Sequence, residues 1–299
     1  MSGNNIKISV IMNCYNSDKF LSEAIESVLI QTYDNFELIF WDNQSTDDSA
    51  NIAKSYNDNR IKYYYAKDFT SLGNARNLAI SKTNGKWVAF LDADDIWHKD
   101  KLRDSIISLN NNENKDQVAL IYTNTTMIDD LGKKIGEYTR DDSGYILDSL
   151  LKDGNFVVQS SIMIKKEIFH SVNGINPDLT YCPDYDLLLK VTKDNITIGI
   201  NKFLTYYRVH DGSITSTKMY DNYIEEINFM INYVAKNKLK FVIKLMIQRN
   251  ITYKVTVLFV KLILQKEFRK VFIVIEKYFK YLLFSLFITP NIIMNLIIK

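Results

Sequence analysis

Residues 87–95 read WVAFLDADD, an apolar run that passes directly into three acidic residues within four positions. A short run of large apolar residues predicts a buried strand. Similar runs lie at 6–12 (IKISVIM) and 36–41 (FELIFW), and stretches with helical spacing of apolar residues follow them. Strands that alternate with helices indicate βαβ units, so the sequence predicts an α/β protein with a mostly parallel sheet.

Three of these strands end in polar residues, which a parallel sheet would bring to one edge. They are Asn13 after the strand at 6–12, Asp42 after the strand at 36–41, and Asp92 and Asp94 after the strand at 87–91. Ligands of such sheets bind beyond the carboxyl ends of the strands. Clustered carboxylates repel one another unless a cation is present, and oxygen ligands favour Mg²⁺ or Mn²⁺. In an extended segment Asp92 and Asp94 lie on the same side, and Asp95 faces away from it. The alternative to a cation site is a solvated acidic turn that caps the next helix.

The C-terminal part of the chain differs sharply in charge from the rest. Lys236–Lys299 holds 13 basic and two acidic residues, a net charge of +11, which leaves −9 for residues 1–235. The acidic part argues against nucleic acid as a partner. The basic, apolar tail favours an amphipathic anchor on an anionic membrane surface. Its longest uncharged run, Tyr281–Ile298, is a marginal spanning candidate, and a helical subdomain or an oligomer interface is the alternative.

Two further features restrict the class of protein. Cys14 and Cys182 are too few and too far apart for a disulfide framework or a local zinc site, and the N-terminus lacks an apolar signal core. We therefore expect a cytoplasmic protein. The segment from Asn13 to Asn16 contains no glycine, which argues against a nucleotide-binding oxidoreductase.

Six blocks of the sequence carry a resemblance to a known family. In chain order they read ISVIMNCYN (8–16), ELIFWDNQSTDDS (37–49), LGNARNLAI (72–80), GKWVAFLDADD (85–95), CPDYDLLLK (182–190) and YRVHDGSIT (207–215). Their order and spacing resemble those of family 2 glycosyltransferases. The resemblance implies a GT-A fold with a Rossmann-like sheet, a nucleotide diphosphate sugar donor, a divalent metal and inversion at the anomeric carbon.

The helical, amphipathic pattern that follows Ser216 and the resemblance, which extends to about residue 216, together predict a division of the chain. The catalytic domain would span 1–215, with nucleotide-sugar binding in 1–100 and the acceptor side in 101–215. Residues 216–299 would form a helical, membrane-associating C-terminal region.

The resemblance assigns donor-binding roles to the residues that match its blocks. Asp42 would accept a hydrogen bond from the base, commonly uracil, and Arg76 would lie near the base or the diphosphate. Asp92 would contact the ribose, and Asp94 would bind the metal, with His210 near it. The full donor-binding set is Asn13, Tyr15, Asp42, Arg76, Asp92, Ala93 and Asp94.

Five residues, in three of the blocks, depart from the usual family pattern. Asn13-Cys14 stands where the family commonly has Pro-Thr, and Asn43-Gln44 stands where it commonly has Asp-Gly. Pro183 replaces the Glu of a Glu-Asp pair in which the family places its catalytic base. The aligned base is Asp184, since a positioned carboxylate can take the proton of an attacking hydroxyl. The alternative is that Asp184 and Asp186 only cap a helix; similarly, Arg76 and His210 could be structural.

These observations predict an inverting glycosyltransferase. It would move a sugar from a nucleotide diphosphate sugar, with a UDP-sugar as the expected donor, to an acceptor hydroxyl in surface polysaccharide or lipid-linked glycan synthesis, with Mn²⁺ or Mg²⁺. We expect it on the inner face of the cell membrane, and oligomers are compatible with the sequence. The alternative is a catalytically inactive scaffold that binds nucleotide sugars at a membrane, but the intact Asp92, Asp94 and Asp184 argue against it.

Overall fold

The computed structural model describes residues 6–213 and 217–288, without the side chains of 284–288. These residues form two compact units. The first contains residues 6–147 and 155–213, and the second contains 148–154 and 217–288. The predicted domain boundary near residue 215 lies outside the described residues.

In the described part of the chain, nine strands form one sheet in the first unit. They are β1 (Ile8–Cys14), β2 (Phe36–Asp42), β3 (Ile61–Tyr65), β4 (Trp87–Phe90), β5 (Ile96–Trp97), β6 (Val118–Ile128), β7 (Lys134–Tyr138), β8 (Met163–Lys165) and β9 (Ile196–Arg208). Their order is β3-β2-β1-β4-β8-β6-β9-β5, with β7 beside β6. Strands β1 to β4 are parallel, as predicted. Beyond β4 the sheet is mixed, because β8 pairs antiparallel with both β4 and β6.

The apolar runs seen in the sequence occupy the centre of this sheet. Every residue of β2 and β4 is buried, and in β1 only Asn13 is partly exposed. Burial of both faces explains why these strands show continuous rather than alternating apolar residues. The edge strand β3 is only half-buried.

Seven helices accompany the strands up to residue 213. They are α1 (Asp18–Leu29), α2 (Ser49–Ser55), α3 (Leu72–Ile80), α4 (Lys101–Asn110), α5 (Leu147–Asp153), α6 (Lys166–Ser171) and α7 (Pro183–Thr192). Helix α3 starts where the Ser71 hydroxyl accepts the Asn74 N–H at 3.4 Å, a normal N-cap. Gly73 in its first turn allows close packing, since a Cβ there would lie 2.9 Å from Ile175 Cγ2.

Two strands are longer than the sequence indicates. The apolar run Val118–Tyr122 and the run Phe203–Val209 each predict a strand from the sequence, but β6 continues to Ile128 and β9 begins at Ile196. The extension of β6 consists of polar residues, 123–126, that are nonetheless buried, because β6 is paired with β9 along its length. Tertiary pairing here overrides a polar local sequence. The short β5 and α6 were not predicted.

The second unit is helical, with α8 (Met219–Lys236), α9 (Phe241–Leu264) and α10 (Phe268–Ile288), the last kinked at Tyr278. Polar contacts tie these helices together: Lys254 pairs with Glu226 at 2.9 Å. Large apolar side chains stay exposed, with Phe241 at 74% and Phe272 at 71%. No helix in 6–213 or 217–288 has the length and apolarity needed to cross a membrane. The candidate spanning run, Tyr281–Ile298, lies only partly within these residues, because its part beyond Ile288 is not described.

Candidate functional site

The carboxyl ends of β1, β2 and β4 lie side by side at one edge of the sheet. The β1–β2 register places Cys14 opposite Asp42, and the backbone N–H of Leu91, just after β4, donates to Ile11 of β1 at 3.0 Å. Met12, Cys14, Leu91 and Ala93 face one hydrophobic cluster. Because side chains alternate along extended backbone, Asn13 and Asp92 face the other side, towards α3.

Arg76 of α3 meets Asp92 on that side of the sheet. Its guanidinium, only 4% exposed, donates to Asp92 Oδ1 in a short ion pair. The backbone N–H of Asp92 is held by Ser160 Oγ at 3.1 Å. A buried arginine bound to a carboxylate is strongly oriented, so Arg76 is a fixed part of this edge of the sheet and not a surface residue of the helix.

Asp94 contacts His210, which the sequence placed in the same candidate metal site. The two side chains approach at 3.0 Å between Asp94 Oδ2 and His210 Nε2. The imidazole also packs against the edge of Phe20, with ring centroids 5.1 Å apart. Since 116 residues separate Asp94 and His210 in the sequence, this contact is a product of the tertiary fold.

The acidic turn after β4 holds its charges in a poorly solvated place. Burial, and then the Asp92 charge, raises the pKa of Asp94, although the His210 bond opposes the shift. Asp95 faces the interior, as expected, and its carboxylate accepts the Arg208 backbone N–H at 2.9 Å. Burial and the neighbouring Asp94 and Asp92 raise the pKa of Asp95 well above its ordinary value. Such crowding disfavours ionised carboxylates unless positive charge joins them.

These residues fit a divalent ion that takes most of its ligands from the substrate. Within 6–213 and 217–288, no three side chains of His, Cys, Asp or Glu converge to hold a metal. Asp94 and His210 offer two donors, and Mg²⁺ in particular is commonly bound by one or two carboxylates together with substrate phosphates. If a divalent ion binds here, the protein would supply only part of its coordination sphere.

The residues at the end of β1 offer aromatic and amide groups. Tyr15 is 50% exposed and its ring lies 4.7 Å from that of Phe69. Asn13 has both side-chain polar atoms buried, without a hydrogen-bond partner in the described residues. Buried amides normally have partners, so Asn13 is suited to receive a ligand.

Asp42 occupies a different environment from the one that direct contact with a base would require. It is fully buried, and its oxygens accept the Ser45 N–H at 2.7 Å and the Tyr63 hydroxyl at 2.6 Å. In this arrangement Asp42 organises the turn after β2. Contact between Asp42 and a base stays a prediction.

On the acceptor side, Asp184 lies in the first turn of α7. Asn155 Nδ2 donates to Asp184 Oδ2 at 2.8 Å, while Asn155 Oδ1 accepts the Val157 N–H at 3.1 Å. Both ends of the Asn155 amide are thus engaged, which fixes the side of Asp184 that it contacts. Asp186, the other acid of this turn, is paired with Lys190 at 2.6 Å.

Several residues near the site were not singled out from the sequence. Asn155 supports Asp184, and Ser160 supports Asp92. Gln159, beside Ser160, is 8% exposed and its amide has no partner in the part of the chain described. No local pattern marks these residues, because their roles depend on contacts that are distant in sequence.

Comparison with known proteins gives a family match and similar folds. The family model described as Glycosyl transferase family 2 matches residues 9–172. A relative from Escherichia coli is named UDP-Glc:alpha-D-GlcNAc-diphosphoundecaprenol beta-1,3-glucosyltransferase WfgD. It is 28% identical, over 76% of this chain and 92% of its own length.

Among solved structures, S. aureus TarS 1-349 in complex with UDP-GlcNAc matches with a TM-score of 0.63 at 18% identity, over 82% of this chain and 71% of the TarS 1-349 chain. The mannosyltransferase PcManGT from Pyrobaculum calidifontis, in complex with GDP-Man and Mn²⁺, also has a TM-score of 0.63. Its identity is 12%, over 98% of this chain and 86% of PcManGT. These likenesses show a shared fold, the GT-A fold.

Proposed function

We propose, from the premise that this chain belongs to glycosyl transferase family 2 and is a glycosyltransferase, that it transfers a sugar from a UDP-sugar to an acceptor hydroxyl. The acceptor would be a surface polysaccharide or a lipid-linked glycan, and the anomeric carbon would be inverted. The observation that carries the proposal is the meeting of Arg76, Asp92, Asp94 and His210 at one edge of the parallel strands.

The choice of a UDP-sugar rests on two similar proteins and on two residues at the end of β1. WfgD is named for UDP-Glc, and TarS is a complex with UDP-GlcNAc. In this chain the exposed Tyr15 ring offers a flat face to a base, and the unpartnered Asn13 amide offers both a donor and an acceptor.

The choice of acceptor rests on the relative with a named acceptor. WfgD acts, by its name, on a sugar joined to diphosphoundecaprenol, which is a lipid-linked glycan. For this chain we propose the same class of acceptor, without a specific sugar.

In the proposed site, Asp94 and His210 would hold Mn²⁺ or Mg²⁺, as the Mn²⁺ in the PcManGT complex suggests by analogy. When bound, such an ion offsets negative charge on the departing diphosphate. Arg76 would keep Asp92 in place through their ion pair.

Asp184 would act as the general base. An acceptor hydroxyl attacks the anomeric carbon from the face opposite the diphosphate, the bond to the diphosphate oxygen breaks, and the hydroxyl proton passes to Asp184. A single displacement of this kind inverts the anomeric centre. Asn155 would hold the carboxylate towards the acceptor through its 2.8 Å bond.

The donor assignment is tested by a thermal-shift screen of UDP-glucose, UDP-N-acetylglucosamine and GDP-mannose, each with Mn²⁺ or with EDTA. A ligand that binds only the folded state raises the melting temperature, by several degrees at a hundredfold excess over Kd. We expect UDP-sugars with Mn²⁺ to give the largest shift. A shift with no nucleotide sugar, or with GDP-mannose alone, would contradict the UDP-sugar proposal.

We also propose that the second unit binds an anionic membrane surface at the cytoplasmic face. Residues 236–299 carry a net charge of +11. Phe241, Phe268, Phe272 and Phe279 of α9 and α10 are each more than half exposed. Exposed aromatic residues among basic ones are typical of helices that lie in the membrane interface.

We expect the full chain to co-sediment with anionic liposomes and high salt to weaken this binding only partly. Each basic residue near the surface contributes about 1 kcal/mol, which salt screens, whereas apolar insertion is less sensitive. The double variant Phe272→Ser/Phe279→Ser should bind at least about tenfold more weakly, since burying one Phe is worth about 1.5–3 kcal/mol.

The matched control is Leu131→Ser, which removes a side chain that is 93% exposed in the first unit and should leave liposome binding unchanged. Equal sedimentation of the double variant and the wild-type chain would remove these aromatic residues from the proposed surface. No sedimentation of the wild-type chain would end the membrane proposal.

A further inference from the structure

Arg208, the last residue of β9, is a charged side chain in the interior of the first unit. It is 1% exposed. Burying a guanidinium costs several kcal/mol unless its donors and charge find partners. The partners of Arg208 therefore show which parts of the molecule depend on it.

The Arg208 guanidinium donates to four acceptors. Nε donates to the Asp94 carbonyl at 3.0 Å, and Nη1 donates to the carbonyls of Asp129 and Asp130, both at 3.3 Å. Nη2 donates to Glu23 Oε2 at 2.8 Å. The planar group also stacks on Phe20, 4.3 Å from the ring centroid.

These contacts connect three segments to the end of β9. They are the acidic turn after β4, which contains Asp94, the turn between β6 and β7, which contains Asp129 and Asp130, and α1, which contains Glu23. His210 comes two residues after Arg208 in the segment that follows β9. The Arg208 backbone N–H also holds Asp95 at 2.9 Å.

The ring of Phe20 links the two halves of this arrangement. One side chain, Arg208, stacks on it, and His210 meets it edge-on. The backbone of Asp94 is fixed by Arg208, while its carboxylate meets His210. The relative position of the two candidate metal ligands is thus set by the guanidinium and this ring.

We propose that Arg208 is a positioning residue that acts through Asp94 and His210 and does not touch the substrate. The inference rests on the proposed function, in which these two residues hold the cation. The guanidinium is directed to protein acceptors on three segments, so it has little capacity left for a diphosphate. Its rigid fork suits this task better than a lysine ammonium, which forms a point contact.

The test is the affinity for UDP, measured by calorimetry with and without Mn²⁺, in Arg208→Lys. We expect the gain in affinity from Mn²⁺ to fall about tenfold or more, because small misplacements of ligand groups are costly. The affinity without Mn²⁺ should stay unchanged. If the variant loses affinity equally with and without Mn²⁺, Arg208 contacts the diphosphate itself and the proposal is wrong.

Arg60→Lys is the matched control for this substitution. Arg60 also stacks on a phenylalanine, Phe36, at 4.5 Å, and pairs with a carboxylate, Asp58, at 2.7 Å, but none of its contacts involves the acidic turn after β4. Arg60→Lys should lower the melting temperature without changing the gain in UDP affinity that Mn²⁺ provides. An equal loss of that gain in both variants would reduce Arg208 to a general stabilising residue.

A second pair of variants decides the matter if Arg208→Lys does not fold. Glu23 is 55% exposed on α1, so Glu23→Lys should fold while its positive charge repels Arg208. We expect it to lower the Mn²⁺-dependent gain, whereas Glu26→Lys, three residues along the same helix and also exposed, should not. Equal behaviour of these two variants would contradict the inference.

The same measurements separate this inference from the proposed function. If UDP binding to the wild-type chain does not depend on Mn²⁺, the proposed cation site is wrong, and so is the role given to Arg208. A normal Mn²⁺-dependent gain in the wild type, Arg208→Lys and Glu23→Lys alike would overturn the inference alone.

Discussion

Asp94→Ala is expected to reduce sugar transfer by about a thousandfold or more, because a cation at the diphosphate is worth several kcal/mol in the transition state. The variant should also lose the Mn²⁺-dependent part of UDP binding. Asp94 is the carboxylate that meets His210 at 3.0 Å beside Asp92. Transfer kinetics and calorimetry with UDP, each with and without Mn²⁺, measure the two effects.

Stability should respond to Asp94→Ala in the opposite direction from activity. The pKa of Asp94 is raised in the folded chain by burial and by Asp92. A raised carboxyl pKa means that the ionised form of Asp94 destabilises the folded state at neutral pH. This cost vanishes at a pH below the pKa that Asp94 has in the unfolded chain, because the carboxyl is then protonated in both states. Without metal, the melting temperature of the variant at pH 7 should therefore equal or exceed that of the wild type.

Asp58→Ala is a suitable control, since Asp58 is similarly accessible, with 23% of its side chain exposed against 32% for Asp94, and also contacts a nitrogen-containing side chain, Arg60. It should leave transfer unchanged. Metal-dependent UDP affinity that survives in Asp94→Ala would exclude Asp94 from the site.

Asp184→Asn is expected to reduce transfer by about 10² or more, which is typical for loss of a general base. Donor binding should persist, since the substitution preserves the shape of the side chain. In the wild type the rate should fall as the pH drops and the base is protonated, and this acidic limb should disappear in the variant. Initial rates over pH at saturating donor, with UDP calorimetry beside them, provide the measurement.

Asp186→Asn is the matched control on the same turn of α7, because Asp186 is already paired with Lys190. It should keep both the rate and the acidic limb. A native rate in Asp184→Asn, combined with a large loss in Asp186→Asn, would assign the base to Asp186 instead.

Much of the fold was predictable because local patterns of apolar residues specify its strands and helices. The runs IKISVIM, FELIFW and WVAFL are continuous and apolar, and they became β1, β2 and β4, buried on both faces. Strand direction followed from the alternation with helices, so the meeting of Asn13, Asp42 and Asp92 at one edge could be expected. The family blocks gave the GT-A fold and the enzyme class, which the family match and the fold comparisons support.

Other features could not be predicted because no local pattern encodes them. The buried polar stretch 123–126 of β6 resembles a loop until β9 is seen to pair with it. The antiparallel entry of β8 between β4 and β6 depends on a segment more than 70 residues after β4. Asp42 matched a base-binding block, yet in the structure it is fully buried between Ser45 and Tyr63.

The sequence by itself determined the alternation of strands and helices, the acidic ends of the strands, the family and the contrast in charge between the two parts of the chain. The tertiary structure alone decided which side chains hold those acids. Arg208 lies 114 residues from Asp94, and Asn155 lies 29 residues from Asp184. Periodicity reports only whether a residue faces the core or the solvent, whereas the partner of a buried polar group is set by which distant segments the fold packs against it.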